Sequence, residues 1–387
     1  MKYVKWAFLQ AFMLITIASA LGQVPDPYVR DYNFEFRIKG LEKDSVVYLA
    51  NYYGDRQYYF DTTEVTNGRF TFKGAEIIGG IYSVIMQDRK SYFEFVVNEP
   101  SIAMETDTVD FVNRMTVKTS EENRSFYAYL QFINGKQAEA APLRDVINTL
   151  PEDDPKRKKA EAKLRAIDSE VKAYKENYIT KNPDFFSTKV FQTTDDPVVP
   201  RPPATAEDTA VWKYRYFKNH YFDLVDFEDE RLLRTPVFHN KVTYYLNKLT
   251  VQHPDSIIIS ADVMAKKARA TPEMFKYVVH TITNKYERSK VVCMDAVFVH
   301  MAKTYYCNGD AFWMTDKQTE KVCTRANAMA PLRCGQVAQN IILPDTSGTN
   351  WVNLHKIDFK FTVLLFWSPT CGHCKKAMPD FVEFYNN

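Results

Sequence analysis

The chain reads as a multidomain protein: an N-terminal all-β, sandwich-like domain, a central all-α domain and a C-terminal partial α/β fold. Three observations predict this. At 387 residues the chain exceeds what one ordinary core organises. Near Ser120 the apolar period changes from two to 3.6. Beyond Pro331 a strand-like apolar run leads into a Cys-x-x-Cys pair at the start of a helical stretch.

Composition sets the class. Apolar residues make up 45% and charged residues 25%, with 12 Gly and 18 Pro, which is the balance of a globular protein rather than a disordered one. Fifty Lys plus Arg against 48 Asp plus Glu leave a net charge of +2, so there is no field suited to gathering nucleic acid or anionic lipid. The one basic cluster, Lys156 to Lys159, is flanked by Glu152, Asp153, Asp154 and Glu161 and reads as a solvated helix start.

Residues 1–22 read as a cleaved signal peptide. Lys2 and Lys5 precede an apolar stretch from Trp6 to Ala20, and Ala18-Ser19-Ala20 supplies the small residues of a cleavage site near Ala20 or Gly22. The run is short for a membrane span and is interrupted by Gln10. No cysteine lies near the cleavage site to carry a lipid anchor, and no later segment has the apolar length of a spanning helix. The expected location is exported, in the periplasm or cell envelope.

The β-rich domain is expected over residues 30–116. Alternation in Phe34-Glu35-Phe36-Arg37-Ile38 and the run Val46-Val47-Tyr48-Leu49 are strand patterns. Asn67-Gly68, between Thr62–Val65 and Arg69–Lys73, predicts a tight hairpin. Gly79-Gly80 and Asn98-Glu99-Pro100 mark further breaks.

The helical domain is expected over residues 120–330. Leu164, Ile167, Val171, Tyr174 and Tyr178 recur at steps of three and four, an amphipathic stripe that predicts packing against neighbouring helices. A Pro-rich link runs from Asp196-Pro197 to Pro202-Pro203. Beyond it, stretches around 206–225, 236–250, 272–287 and 290–306 look helical, with Thr271-Pro272-Glu273 as a cap and first turn. No catalytic pattern is visible in this region.

The last segment, residues 333–387, carries the chemistry. Ile341-Ile342-Leu343, the turn Asp345 to Gly348 and Trp351 to Leu354 predict a hairpin. Phe361 to Trp367 is a continuous apolar run with the character of a buried central strand. Cys371-Gly372-His373-Cys374 follows at once, and Lys375 to Tyr385 reads as a helix. A thiolate at a helix N-terminus is stabilised by the dipole and by free backbone N–H groups. Cys371 is therefore the expected nucleophile, and Cys374, nearly one turn further in, the resolving thiol. His373 can add positive charge beside the thiolate, which would make the pair more oxidising than one with Gly-Pro between the cysteines. Pro379 would bend the helix.

Phe366 to Lys376 with Pro379 resembles the active-site segment of the TlpA-like thioredoxin family, and Gly335-Gln336 through Gly348 and Leu354 resembles that family's N-terminal hairpin. The resemblance implies a thioredoxin-like fold and an exported thiol–disulfide oxidoreductase that often reduces disulfides in envelope proteins, including cytochrome c precursors. It implies no cofactor beyond the redox-active Cys371–Cys374 pair, with Trp367, His373 and Pro379 in supporting or tuning roles. Its implied partners are protein thiols and disulfides of the envelope and an upstream electron donor. Two departures stand out. The position of thioredoxin's buried acid, six residues before the first cysteine, is Leu365. Cys334 to Asn387 is also too short for the whole fold, including its cis-proline loop, so the sequence is expected to be a fragment whose activity could be weak or nil. The β-rich and helical regions resemble uncharacterised domains that precede such a module in some envelope proteins, a likeness that carries no mechanism.

Other readings stand beside this one. No second Cys-x-x-Cys pair supports a zinc site. Cys293, Cys307, Cys323 and Cys334 could form one or two structural disulfides or stay as buried thiols. His220, His239, His253, His280, His300 and His355 show no metal-ligand spacing and read as ordinary surface or core histidines. The alternative function is a non-catalytic envelope binding or scaffold protein with a residual thioredoxin segment.

Overall fold

The computed structural model describes residues 29–41 and 45–386; the signal-peptide segment lies outside them. The protein is multidomain in character, with a β-rich region, a helical region and a mixed α/β C-terminal portion. The described residues up to Ala326 form one compact unit and those from Asn327 onward a second.

Eight strands open the first unit: β1 (Val29–Lys39), β2 (Ser45–Tyr53), β3 (Arg56–Val65), β4 (Arg69–Ile78), β5 (Gly80–Ile85), β6 (Tyr92–Val97), β7 (Ser101–Asp107) and β8 (Thr116–Thr119). They make two four-stranded sheets, ordered β4-β1-β7-β8 and β3-β2-β5-β6, with β1 and β7 parallel and the other pairs antiparallel. The alternation read from the sequence is the burial pattern of β1: Phe34, Phe36 and Ile38 are buried, and Phe34 meets Phe95 of the opposite sheet edge to face at 5.5 Å. Phe36 reaches Phe93 and Phe95 at 5.6 and 5.2 Å, so aromatic pairs from both inner faces form the sandwich core.

One expectation is corrected here. Asn67 and Gly68 do form the tight turn, both with positive φ, closed by mutual backbone bonds between Thr66 and Arg69. The strands it joins nevertheless separate into different sheets. The reason is competition for hydrogen bonds: Gly68 O already accepts from Ile38 N at 2.7 Å, and β4 continues along β1 with Arg37 opposite Arg69. The turn is a corner between the two layers rather than the tip of a ribbon.

The helical region begins with an antiparallel pair, α1 (Glu121–Thr149) and α2 (Pro155–Lys181). Asp154 caps α2 and Pro155 takes its first position, so the Lys156 cluster is the solvated helix start read from the sequence. The predicted stripe faces α1, where Phe132 stacks on Tyr174 at 4.1 Å and Tyr129 meets Tyr178 at 5.8 Å. There follow α3 (Phe186–Thr194), α4 (Thr209–His220), α5 (Pro236–Asn247), α6 (Pro254–Ala268), α7 (Pro272–Glu287), α8 (Asp295–Met301) and α9 (Asp316–Met329). Thr271 caps α7 by accepting from Met274 N, with Pro272 in the first turn. Helices α6 and α9 were not among the predicted stretches, and the stretch around 290–306 is only partly regular α-helix.

Sandwich and helices are joined by buried polar groups. The Asn123 side chain bonds both the N–H and the C=O of Val96, at 2.8 and 2.7 Å, closing the free edge of β6 as another strand would. Glu122, 1% exposed, accepts from Ser187 N and Oγ at 2.6 and 2.7 Å and from Asn98 Nδ2 at 2.7 Å. Burial, supported by nearby Glu99, outweighs those donors and raises its pKa. Asn98 Oδ1 in turn accepts from Arg231 at 2.7 Å, and Arg231 forks onto the fully buried Asp229 at 2.8 and 2.6 Å. Burial alone would raise the Asp229 pKa, but Arg231 and Lys189 hold it below the ordinary carboxylate value.

The second unit is built from β9 (Ile342–Pro344) paired antiparallel with β10 (Trp351–Asn353), and from α10 (Gly372–Asn386). This is the predicted hairpin, its turn organised by Asp345, which accepts from Ser347 N at 2.9 Å. The predicted buried strand is corrected: Phe361 to Trp367 is not a strand, and Phe361, Val363 and Phe366 are 80, 77 and 80% exposed. A central strand needs hydrogen-bonded neighbours on both sides, and among the described residues of this unit the only sheet is the β9–β10 pair.

Candidate functional site

The dithiol sits where the sequence placed it, at the N-terminal boundary of α10. Ser368 O accepts from Cys371 N at 3.1 Å, turning the chain, and Cys371 O accepts from Lys375 N at 3.1 Å, the first bond of the helix. Cys371 is thus the half-in residue at a helix start, with the backbone N–H groups of the first turn directed at its side chain. Cys374 N lies 3.3 Å from Cys371 Sγ. Both thiols are partly exposed and free.

This geometry lowers the Cys371 pKa. The Cys374 thiol contributes most by donating to the Cys371 sulfur, followed by the backbone N–H of Cys374, with a further contribution from the backbone N–H of His373. The contribution of His373 therefore comes through its main chain, where the sequence suggested the imidazole.

Four of the five predicted site residues line two adjoining clefts, and Cys371 is joined to them through Cys374. Trp367, His373 and Cys374 line one small cleft of about 240 Å³ with Phe366, Ala377 and Phe381. Pro379 lies within α10 and shares an adjoining cleft with Trp367 and Met378. Leu365, six residues before Cys371, lines the first cleft as an apolar wall and offers no proton acceptor to Cys374.

The remaining cysteines are engaged. Cys307 and Cys323 form a disulfide. Cys293 and Cys334 also carry no free thiol. Disulfide bonding points to an oxidising compartment and an exported protein, and no helix among the described residues is long and apolar enough to cross a membrane. Among the described residues no group of three or more His, Cys, Asp or Glu could hold a metal ion.

One polar cleft escaped the sequence reading. It lies in the first unit between the β2–β3 turn and α7, about 710 Å³ in volume, and His239 and His280, read from the sequence as ordinary histidines, both line it. A signal existed in the polar stripe Glu273, Lys276, His280 and Asn284 on α7, continued by Arg288 just past its end, at steps of three and four. Such a stripe reads equally as a solvated helix face.

Comparison with known families places two domains of unknown function on the chain: DUF4369 matches residues 32–126 and DUF5106 residues 158–330. The dithiol lies beyond both. No curated protein matches the chain, and no solved structure does.

Proposed function

We propose that the protein is an exported thiol–disulfide oxidoreductase of TlpA-like, thioredoxin-like type, acting in the periplasm or cell envelope through Cys371 and Cys374. The observation that carries this reading is Cys371 at the α10 start, its thiol pKa lowered by the Cys374 thiol and by two backbone N–H groups. In the reducing direction the Cys371 thiolate attacks one sulfur of a substrate disulfide, forming a mixed disulfide and releasing the other substrate sulfur as a thiolate. Cys374, deprotonated, then attacks Cys371 Sγ. The second substrate thiol leaves, two electrons have passed to the substrate, and an upstream donor must reduce the Cys371–Cys374 disulfide. The small apolar cleft beside Cys374 would hold the substrate backbone near the sulfurs.

The test is a pair of substitutions in the full chain. Cys371→Ser should abolish disulfide reduction, and Cys374→Ser should accumulate mixed disulfides on non-reducing gels. Accumulation in the Cys371→Ser variant alone would reverse the roles, and absence of a measurable dithiol couple would defeat the proposal.

A second reading, a non-catalytic envelope binding or scaffold protein, is favoured by one observation: Phe361 to Trp367 stands exposed, so α10 has no sheet at its back among the described residues of its unit. A redox titration of the Cys371–Cys374 pair separates the two readings.

A further inference from the structure

The cleft between the β2–β3 turn and α7 lies in the first unit and takes no part in the dithiol chemistry. Its walls are held in place from both sides. Gly54, at φ +66, donates its N–H to Leu233 O at 2.7 Å, and a Cβ at Gly54 would lie 1.9 Å from the Tyr277 hydroxyl, so the turn is seated directly on α7. Tyr53 OH donates to Glu273 Oε1 at 2.6 Å across the same junction. His239 Nδ1 is 2.7 Å from Tyr277 OH and its Nε2 is 3.1 Å from Thr243 Oγ1, which fixes the ring. The cleft is preformed, and its volume of about 710 Å³ falls within the range of small-molecule sites.

Its charges do not cancel within the protein. Glu273 is committed to Tyr53 and to Lys276, whose Nζ lies 3.0 Å away. Asp55 stands 4.0 Å from His239. Arg56 and Arg288 line the cleft and make no ion pair among the described residues. The Trp313 indole also lines it, and its buried Nε1 has no hydrogen-bond partner among the described residues. Partial burial, with Lys276 and Arg288 nearby, lowers the pKa of the lining His280, a sign of local positive potential. An ordinary solvated helix face would leave its donors in water. Here an indole whose N–H is withdrawn from water lines the same cleft as two guanidinium groups that make no ion pair among the described residues, and an exposed aromatic, Tyr58, forms part of the wall.

We propose that this cleft binds a small organic oxyanion, a carboxylate- or phosphate-bearing molecule rich in acceptors, with Arg56 and Arg288 contacting the anion and Tyr58 and Trp313 flanking its body. Guanidinium forks suit the planar or tetrahedral oxyanion, and aromatic faces suit a ring or short chain behind it.

The test is calorimetric titration of the full chain with citrate, glucuronate and inorganic phosphate, and with glucose as the uncharged counterpart of glucuronate. Saturable binding of at least one anion is expected, with none for glucose. Phosphate against the two carboxylates distinguishes the anion class. Arg288→Gln and Arg56→Gln should each weaken binding about tenfold, the loss of one charge-assisted contact. An NMR titration should show the His280 imidazole protonating at higher pH with the anion bound. Should Arg288→Gln disturb the end of α7, Arg56→Gln at the start of β3 carries the same test. No saturable binding by any of the three anions overturns the proposal. Glucose binding as tightly as glucuronate, or unchanged affinity in Arg56→Gln, overturns it equally.

Discussion

Two apolar runs of similar length meet opposite fates in this chain. Gly80 to Ile85 is buried at every residue, whereas Phe361 to Trp367, richer in large apolar side chains, is largely exposed and irregular. The first lies between β2 and β6 and gives its backbone groups partners on both sides. The second has no such neighbours among the described residues of its unit. Apolar content creates the demand for burial, but hydrogen-bonded neighbours decide whether a strand forms to meet it. The first unit should therefore govern stability, and the second should contribute chemistry from local helix-start geometry.

The largest effect that could break this contrast is a matched pair of truncations. Phe95→Ala, at a fully buried site facing Phe34 and Phe36, should cost about 3–5 kcal/mol of unfolding free energy. Phe361→Ala should change it by under about 0.5 kcal/mol. Denaturant melts of both variants check this, and an equal loss would mean that the exposed run is covered in solution.

Next comes the disulfide of the first unit. Cys307 and Cys323 are 16 residues apart, so Cys323→Ser should cost about 3 kcal/mol by the loop-entropy account. Because Cys293 and Cys334 are disulfide-bonded too while Cys371 and Cys374 are free, dithiothreitol should produce at least that loss without altering the reduced dithiol.

A smaller effect is expected at the seam between sandwich and helices. Glu122→Ala strands Ser187 N–H and Asn98 Nδ2, at about 1–3 kcal/mol. The pH dependence has a definite sign. The Glu122 pKa is raised above its ordinary 4.5, so the folded protein holds that proton more tightly than the unfolded chain. Its contribution is complete below pH 4.5 and is lost as pH rises through the folded pKa. Urea midpoints of Glu122→Gln measured across pH should lack that decline; an identical profile in both proteins would sink the assignment.

The smallest effect sharpens the chemistry of the second unit. Backbone N–H groups lower the Cys371 pKa, so His373→Pro, which deletes one of them, should make the dithiol couple more reducing. His373→Ala keeps the N–H and should move it less. Equal shifts in a glutathione redox titration would return the role to the imidazole.

Much of the site was legible because it is local. A helix start four residues after a strand-like run, with cysteines three apart, needs no distant partner to form, and Cys371 and Cys374 lie at that start, whereas His373 meets Cys371 through its main chain rather than its imidazole. The Asn67-Gly68 turn and the Thr271-Pro272 cap were legible for the same reason. The fate of Phe361 to Trp367 was not, because strand and exposed run share one composition and differ only in their neighbours. The polar stripe on α7 was visible as spacing but not as a wall, since the opposing turn lies far away in sequence.

By itself the sequence determined the change of period near Ser120, the turns, the caps and the dithiol at a helix start, all set by propensity and hydrogen bonding within a few residues. Only the tertiary structure decided that β4 leaves β3 for β1, that the Asn123 side chain closes the edge of β6, and that Tyr53 meets Glu273 across 220 residues to frame a cleft. Those outcomes depend on which distant groups win a limited set of backbone partners and on the entropy of closing long loops, and no window of local sequence carries either quantity.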